Sequence, residues 1–161
     1  MCIRDSPDIL AFGKKMQVCG ILASKRVDEI KQNVFTTAYR INSTWGGNLV
    51  DMVRASKILE IIEEDKLVAK AASTGEYLHS RLRGIAEKYS VVSNVRAKGL
   101  IAAFDFPDKK TRDLFIKKGL EKNVMFLGCG NQSIRFRPAL IMEKADLDLG
   151  LTVLEDVVKT L

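Results

Sequence analysis

The stretch NVRAKGLIAAFDF, residues 94–106, gives the clearest indication of how this chain folds. From Leu100 onward its side chains alternate between two sets, which is the period of a β-strand with two different faces. One set is apolar and consists of Leu100, Ala102, Phe104 and Phe106, and the other consists of Ile101, Ala103 and Asp105. The stretch therefore predicts a strand with one face in a hydrophobic core.

Helical and strand-like segments follow toward the C-terminus. They are a helix over residues 111–121, a strand NVMFLG (123–128) and a strand SIRFRP (133–138). In SIRFRP the same period puts Ile134 and Phe136 on one face and Arg135 and Arg137 on the other. The last helix has an apolar stripe of Leu147, Leu151, Leu154, Val158 and Leu161.

Two long helical patterns precede this region. The apolar positions of the first include Leu49, Met52, Val53, Leu59 and Ile62, and those of the second include Leu67, Ala71, Leu78, Leu82 and Ile85. Further upstream are a predicted strand CGILAS (19–24), a predicted helix KRVDEIKQ (25–32) and a predicted loop TAYRINSTWGG (37–47). The whole pattern indicates an α/β protein.

The charge does not favour a nucleic-acid partner. The chain has 26 Lys and Arg and 20 Asp and Glu, a net charge of +6. Acidic and basic residues are interleaved, as in residues 25–29 and 63–66. No basic block contains the interleaved aromatic residues that bind single strands.

The cysteines and the histidine do not suggest a metal site. Cys2, Cys19 and Cys129 lack metal-ligand spacing, and His79 lies off its helical stripe, where we expect a solvated side chain. No stretch approaches the roughly 20 apolar residues of a membrane span, and no signal peptide is recognisable. We therefore expect a soluble, cytoplasmic protein with reduced thiols and no membrane partner.

The first six residues, MCIRDS, are similar to a translated transposon-end adapter of the kind used in sequencing libraries. We interpret residues 1–6 as an adapter-derived scar and expect the natural sequence to continue from Pro7. An unusual native N-terminus is the alternative.

Three short motifs contain residues that could carry chemistry. Lys14 and Lys15 follow an apolar segment, where desolvation would favour a neutral, nucleophilic amine; a solvated surface pair is the alternative. The hydroxyls and backbone of NSTWGG could bind a phosphate before a helix, or could simply form a cap and turn. Arg135 and Arg137 could hold a carboxylate, or could lie on an ordinary surface strand.

Four segments, in this order and spacing, resemble the C-terminal part of class III (ornithine-type) pyridoxal-phosphate aminotransferases. They are PDILAFGKK (7–15), RINSTWGGNLVDMVRA (40–55), VRAKGLIAAFDF (95–106) and GCGNQSIRFRPAL (128–140). The resemblance implies the C-terminal part of a fold-type I pyridoxal-phosphate-dependent transferase. Residues 7–60 would be a remnant of the large cofactor-binding domain with a connecting helix, and residues 61–161 a small C-terminal α/β domain.

The resemblance also implies roles for four residues. Lys14, seven positions after Pro7, would bind the cofactor pyridoxal 5'-phosphate covalently and then move a proton at the substrate carbon. Thr44 would donate a hydrogen bond to the cofactor phosphate of the partner subunit in a homodimer. Arg135 would bind the substrate carboxylate, and Asn42 would also contact the substrate.

Within the family, the lysine-specific members resemble the chain most, and the 4-aminobutyrate-specific members come next. The implied reaction is transfer of the ε-amino group of L-lysine to 2-oxoglutarate, giving glutamate and 2-aminoadipate 6-semialdehyde. In the family, the phosphate loop, the aromatic residue that stacks on the cofactor ring and the acidic partner of the ring nitrogen lie upstream. We therefore expect the 161-residue chain alone to be inactive.

Two alternatives remain open from the sequence. The first is a different amino donor within the family, 4-aminobutyrate or ornithine. The second is a non-catalytic α/β binding or assembly domain, which would not need Lys14, Thr44 and Arg135.

Overall fold

The computed structural model describes residues 6–41 and 43–161, except for the side chain of Lys15. It separates into two units, unit 1 (Met1–Glu64) and unit 2 (Asp65–Leu161). Two predictions concern positions outside the described residues: the substrate contact of Asn42 and, apart from its last residue, the scar at residues 1–6. The assignment of residues 7–60 to a large-domain remnant and 61–161 to a small domain stays a proposal.

Unit 1 contains a two-stranded antiparallel hairpin and a long helix. The elements are β1 (Ile9–Phe12), β2 (Gly20–Ala23), α1 (Leu49–Glu64) and 3₁₀ helices at Lys14–Met16 and Lys25–Glu29. Phe12 lies opposite Gly20, where a Cβ atom would overlap the ring of Phe12. The strand predicted in CGILAS is therefore present, and its glycine accommodates the aromatic side chain across the hairpin.

The helix predicted over residues 25–32 is shorter than expected. It is a 3₁₀ helix that ends where Ile30 adopts extended backbone angles. The Asn33 side chain donates hydrogen bonds to the carbonyls of Val27 and Ile30 at 3.1 and 3.0 Å. The Val27 carbonyl also accepts the Ile30 amide at 3.2 Å, which is the last hydrogen bond of the 3₁₀ helix. The Ile30 carbonyl accepts the Asn33 side chain, a local alternative to a continued helical hydrogen bond.

Helix α1 forms as its periodicity predicts, but its apolar stripe is not covered. Leu49 is 73% exposed and Val53 is 71% exposed, and no described residue of α1 is buried. The periodicity therefore fixed the helix without fixing its packing.

Unit 2 is a four-stranded antiparallel sheet with three helices. Its elements are α2 (Leu67–Lys88), β3 (Ser93–Lys98), β4 (Ile101–Asp105), α3 (Lys109–Glu121), β5 (Leu127–Cys129), β6 (Ser133–Phe136) and α4 (Lys144–Val158). The strand order is β3-β4-β6-β5. In the described residues, no helix combines the length and the apolar character that crossing a bilayer requires.

The stretch that predicted one strand forms a hairpin of two. Strands β3 and β4 pair through Lys98 and Ile101, and the chain reverses at Gly99, whose φ is +54°. Glycine adopts this left-handed angle without steric cost. The alternation beyond the turn is confirmed, because Leu100, Ala102, Phe104 and Phe106 are all buried.

The core of unit 2 lies between one face of the sheet and the helices. The rings of Phe104 and Phe106 meet edge to face at 5.2 Å, and Phe106 and Phe115 lie 5.0 Å apart. The predicted stripes of α2 and α4 supply most of the remaining buried side chains: Leu78, Leu82, Ile85, Leu147, Leu151, Leu154 and Val158. The fold is thus a two-layer α/β arrangement.

Two further expectations for unit 2 need correction. The strand expected over residues 123–128 covers only Leu127–Cys129, because the Val124 amide donates to the Gly119 carbonyl at 2.9 Å and ends helix α3. His79 is half-buried, and its Nε2 is buried with no partner among the described residues. The expected solvated histidine is therefore wrong.

Candidate active site

Lys14 stands at the end of strand β1, in the first position of a 3₁₀ helix. Its φ is +54°, an uncommon left-handed angle for a residue with a side chain. The Lys14 carbonyl accepts the Gln17 amide at 2.9 Å, which closes the turn. Such strain persists only where surrounding structure imposes it, and it occurs often at functional sites.

The Lys14 side chain is exposed. The described residues give its ammonium neither a hydrogen bond nor an ion pair. The neighbouring apolar segment was expected to shield the Lys14 ammonium from water. Residues 6–41 and 43–64 do not do so in this structure.

Thr44 lies in the turn that leads into helix α1. The Gly46 amide donates to the Ser43 carbonyl at 3.0 Å, and Gly47 has a φ of +72°. Asn48 then caps the helix, because its Oδ1 accepts the Val50 amide at 3.0 Å. The cap-and-turn interpretation is thus present, and it leaves the Thr44 hydroxyl exposed just before a helix N-terminus.

A cleft of about 540 Å³ in unit 1 links the two motifs. Phe12 and Gln17, which lie on either side of the Lys14 turn, contribute to its wall. Ser43 and Trp45, the neighbours of Thr44, contribute as well. The structure therefore brings the residues around Lys14 and Thr44 to one cleft, but neither Lys14 nor Thr44 itself lines it.

Arg135 lies on strand β6 of unit 2, with its side chain exposed. It pairs with Ala103 of β4 on one side and Leu127 of β5 on the other. Ile134, on the opposite face, is fully buried. The period-two prediction is confirmed, because the strand presents Arg135 outward while its apolar face fixes the strand in the core.

A buried carboxylate holds the start of strand β6. Asp105 is 7% exposed and accepts hydrogen bonds from Ser133 Oγ and Asn94 Nδ2, each at 2.6 Å, and from Arg96 Nη1 at 3.0 Å. Burial alone would raise the Asp105 pKa, but the hydrogen bonds from Ser133, Asn94 and Arg96 bring it below its usual value. Asp105 is therefore held in its charged form. It is hydrogen-bonded to Ser133, which lies two residues before Arg135 on strand β6.

Sequence reasoning did not assign a role to Asp105 or Ser133. In the alternating stretch from Leu100 to Phe106, Asp105 is the only acidic residue. That position was a usable signal, because a carboxylate on a half-buried strand needs hydrogen-bond donors. Ser133 offered no signal of its own.

Comparisons with known proteins agree on one family. The model of the family described as aminotransferase class-III matches residues 2–158. The L-lysine-epsilon aminotransferase of Mycobacterium tuberculosis is 46% identical over 147 residues, 91% of this chain and 33% of the relative. The mitochondrial 4-aminobutyrate aminotransferase of Sus scrofa is 32% identical over 154 residues, 95% of this chain and 30% of the relative.

A solved structure gives the same result for the fold. The lysine aminotransferase from M. tuberculosis superimposes with a TM-score of 0.91 at 42% identity, covering 98% of this chain and 36% of that one. The expected α/β fold, the C-terminal part of a fold-type I transferase, is confirmed by this match. The chain spans about a third of the length of the curated relatives it matches.

Proposed function

Since the chain belongs to the class III aminotransferase family, we propose that the enzyme containing it transfers the ε-amino group of L-lysine to 2-oxoglutarate, giving glutamate and 2-aminoadipate 6-semialdehyde. The observation that supports this donor most strongly is the 46% identity to a lysine aminotransferase, against 32% to a 4-aminobutyrate aminotransferase. We expect the activity of the whole enzyme and not of the 161-residue chain alone.

The residues of unit 1 fit pyridoxal 5'-phosphate, the cofactor on which class III aminotransferases depend. Lys14 offers an exposed amine at the end of a strand, and the turn at Thr44 offers a hydroxyl and backbone amides before helix α1. In the proposed homodimer the two segments of one chain would serve different sites, Lys14 the site of its own subunit and Thr44 the site of the partner subunit. When bound, the cofactor withdraws electrons from the substrate carbon that bears the amino group.

In this proposal, Lys14 and Thr44 have separate tasks. Lys14 Nζ would hold the cofactor covalently and would act as the base that moves a proton at C6 of lysine. The Thr44 hydroxyl would donate to the cofactor phosphate of the partner subunit, so the proposal includes a homodimer. A cytoplasmic location, as expected from the sequence, is part of the same proposal.

Arg135 binds a substrate carboxylate in the proposed reaction. Its planar guanidinium can form two parallel hydrogen bonds to a carboxylate, which fixes the substrate in position as well as in orientation. Asn42 is a second substrate contact in this proposal, as the family resemblance implies.

The test is an amino-donor panel on the full-length enzyme. Lysine, 4-aminobutyrate and ornithine are each supplied with 2-oxoglutarate, and glutamate formation is measured. We expect the highest kcat/KM with lysine and a loss of about 10³-fold or more in Lys14→Ala. Lys15→Ala is the matched control and should keep most of the activity.

Other outcomes would replace the proposal. A higher kcat/KM with 4-aminobutyrate or ornithine would assign the enzyme to that donor instead. No glutamate from any donor would favour the non-catalytic alternative. The 161-residue chain, assayed in parallel, should form none.

A further inference from the structure

Helix α3 carries a buried arginine, Arg112, beneath the turn between β5 and β6. Its side chain is only 9% exposed, which is rare for an arginine and needs compensating contacts. Nε donates to Asp113 Oδ1 at 2.6 Å, and Nη1 donates to the Gly130 carbonyl at 3.2 Å. One guanidinium therefore ties the helix to the backbone of the turn.

The two glycines of the GCG motif have separate structural reasons. A Cβ atom at Gly128 would lie 2.6 Å from Arg112 Nη1 and 3.2 Å from Ile116 Cδ1, so glycine is needed for the close approach of the guanidinium. Gly130 has a φ of +54°, which glycine adopts without cost. The GCG motif, which is part of the family resemblance, thus forms the surface against which Arg112 packs.

This turn is the direct neighbour of the strand that carries Arg135. Strand β5 has three residues, is exposed, and lies at the edge of the sheet. Its register places Leu127 opposite Arg135 and Gly128 opposite Ile134. On the other side, β6 pairs with β4, which includes the hydrogen-bonded Asp105. Arg112 therefore fixes the side of strand β6 that faces β5, the short strand at the edge of the sheet.

We propose that Arg112 is a positioning residue for carboxylate recognition, because it fixes the GCG turn and thereby the placement of Arg135. The inference rests on the proposed role of Arg135 in binding a substrate carboxylate. A bidentate pair requires accurate placement of the guanidinium, and a shift of about 1 Å can cost roughly 100-fold in a positioned site. Arg112 itself does not touch the substrate in this proposal.

The test compares Arg112→Met and Arg112→Lys with wild type in the full-length holoenzyme. KM for 2-oxoglutarate and kcat are measured, together with the Kd of glutarate, an unreactive dicarboxylate, by calorimetry. We expect KM and Kd to rise about 10-fold in Arg112→Met while kcat changes little, with Arg112→Lys in between. Arg83→Met, an exposed arginine of α2, is the matched control and should change neither constant.

A second variant tests the same contact with Arg112 intact. Gly128→Ala should also raise KM and Kd, because its methyl group displaces the guanidinium. In the Arg112→Met background the added methyl group should have a smaller effect, so the two changes should be clearly non-additive. Additive effects would contradict the proposed contact.

The outcomes separate this inference from the proposed function. If Arg112→Met only lowers thermal stability and leaves KM and the glutarate Kd unchanged, the positioning role is wrong. If the wild-type enzyme shows no transamination with any donor, the proposed function fails, and the glutarate Kd still tests the inference. An unchanged Kd in both Arg112→Met and Gly128→Ala would overturn it.

Discussion

At the scale of single residues, Asp105 shows how a charge on a strand is accommodated in unit 2. The carboxylate is buried, yet three donors satisfy it: Asn94 and Arg96 of β3, and Ser133 of β6. A buried carboxylate without donors would be costly, whereas one with several charged and neutral donors stays ionised. The same contacts join β3, β4 and β6 at one end of the sheet.

The pH dependence of unit 2 should report this carboxylate. The folded-state pKa of Asp105 lies below its usual value of about 3.9, so its contribution to stability is complete above that pH and is lost as the pH falls through the folded pKa. We expect Asp105→Asn to lower the free energy of unfolding by about 1–3 kcal/mol at pH 7. The loss should begin to shrink below about pH 4, where the Asp105 carboxyl of the unfolded chain becomes protonated, and should be smallest below the folded-state pKa.

Urea unfolding from pH 3 to pH 7, followed by circular dichroism, measures this difference. Asp65→Asn, at an exposed position, is the matched control. An Asp105→Asn curve parallel to wild type across the whole range would show that the carboxylate does not contribute in this way.

At the scale of elements, helix α2 contacts the turn of the β3–β4 hairpin where Gly75 of the helix meets Gly99 of the turn. A Cβ atom at Gly75 of the helix would overlap the carbonyl of Gly99 in the hairpin turn. Gly84 lies in the same helix, but a Cβ atom there would meet nothing within 4 Å. The two glycines of α2 are therefore present for different reasons, and only the first is required by packing.

Alanine substitutions should separate the two positions. Gly75→Ala forces the helix away from the hairpin turn, and we expect it to lower the free energy of unfolding by about 1–3 kcal/mol. Gly84→Ala replaces a helix-interior glycine at an open position, and should raise the free energy of unfolding by about 0.5–1 kcal/mol. Thermal or urea unfolding of both variants measures this, and effects of the same sign would contradict the close contact.

At the scale of the whole chain, the hydrophobic core is almost entirely in unit 2. Among the described residues, Val18 is the only buried hydrophobic side chain of unit 1. The apolar residues of α1 and of the β1–β2 hairpin are largely exposed; they include Ile9, Leu22, Leu49, Val50 and Val53. Local stability follows buried apolar contacts, so the two units should differ strongly in resistance to opening.

Brief digestion of the 161-residue chain with trypsin should reveal that difference. Unit 1 contains lysines and arginines throughout, as at Lys14, Lys25, Arg26 and Arg54, and we expect rapid cleavage there. A product that begins near Asp65 and retains the end of the chain should persist, as measured by mass spectrometry. Equally fast cleavage inside α2 and α4 would contradict the difference in stability. Digestion in urea is the control, because unfolding should abolish the difference in cleavage rate between the two units.

The sequence by itself determined the fold class, most helices, and the buried face of strands β4 and β6. Alternation put Phe104 and Ile134 inside and Arg135 outside, because the two faces of a strand are fixed by the backbone whatever the strand packs against. The ordered motifs also indicated the family, which the comparisons confirmed. The roles of Lys14, Thr44, Arg135 and Asn42 remain predictions.

Tertiary structure alone decided what depends on contacts between distant segments. Period and spacing could not predict the turn at Gly99, the donors of Asp105 or the contact of Arg112 with Gly128. Nor could they predict that His79 Nε2 is buried without a partner among the described residues. The donors of Asp105 and the contacts of Arg112 arise because residues of different elements approach within a few ångströms. A local pattern records which way a side chain points, but only the folded chain determines which atoms it meets.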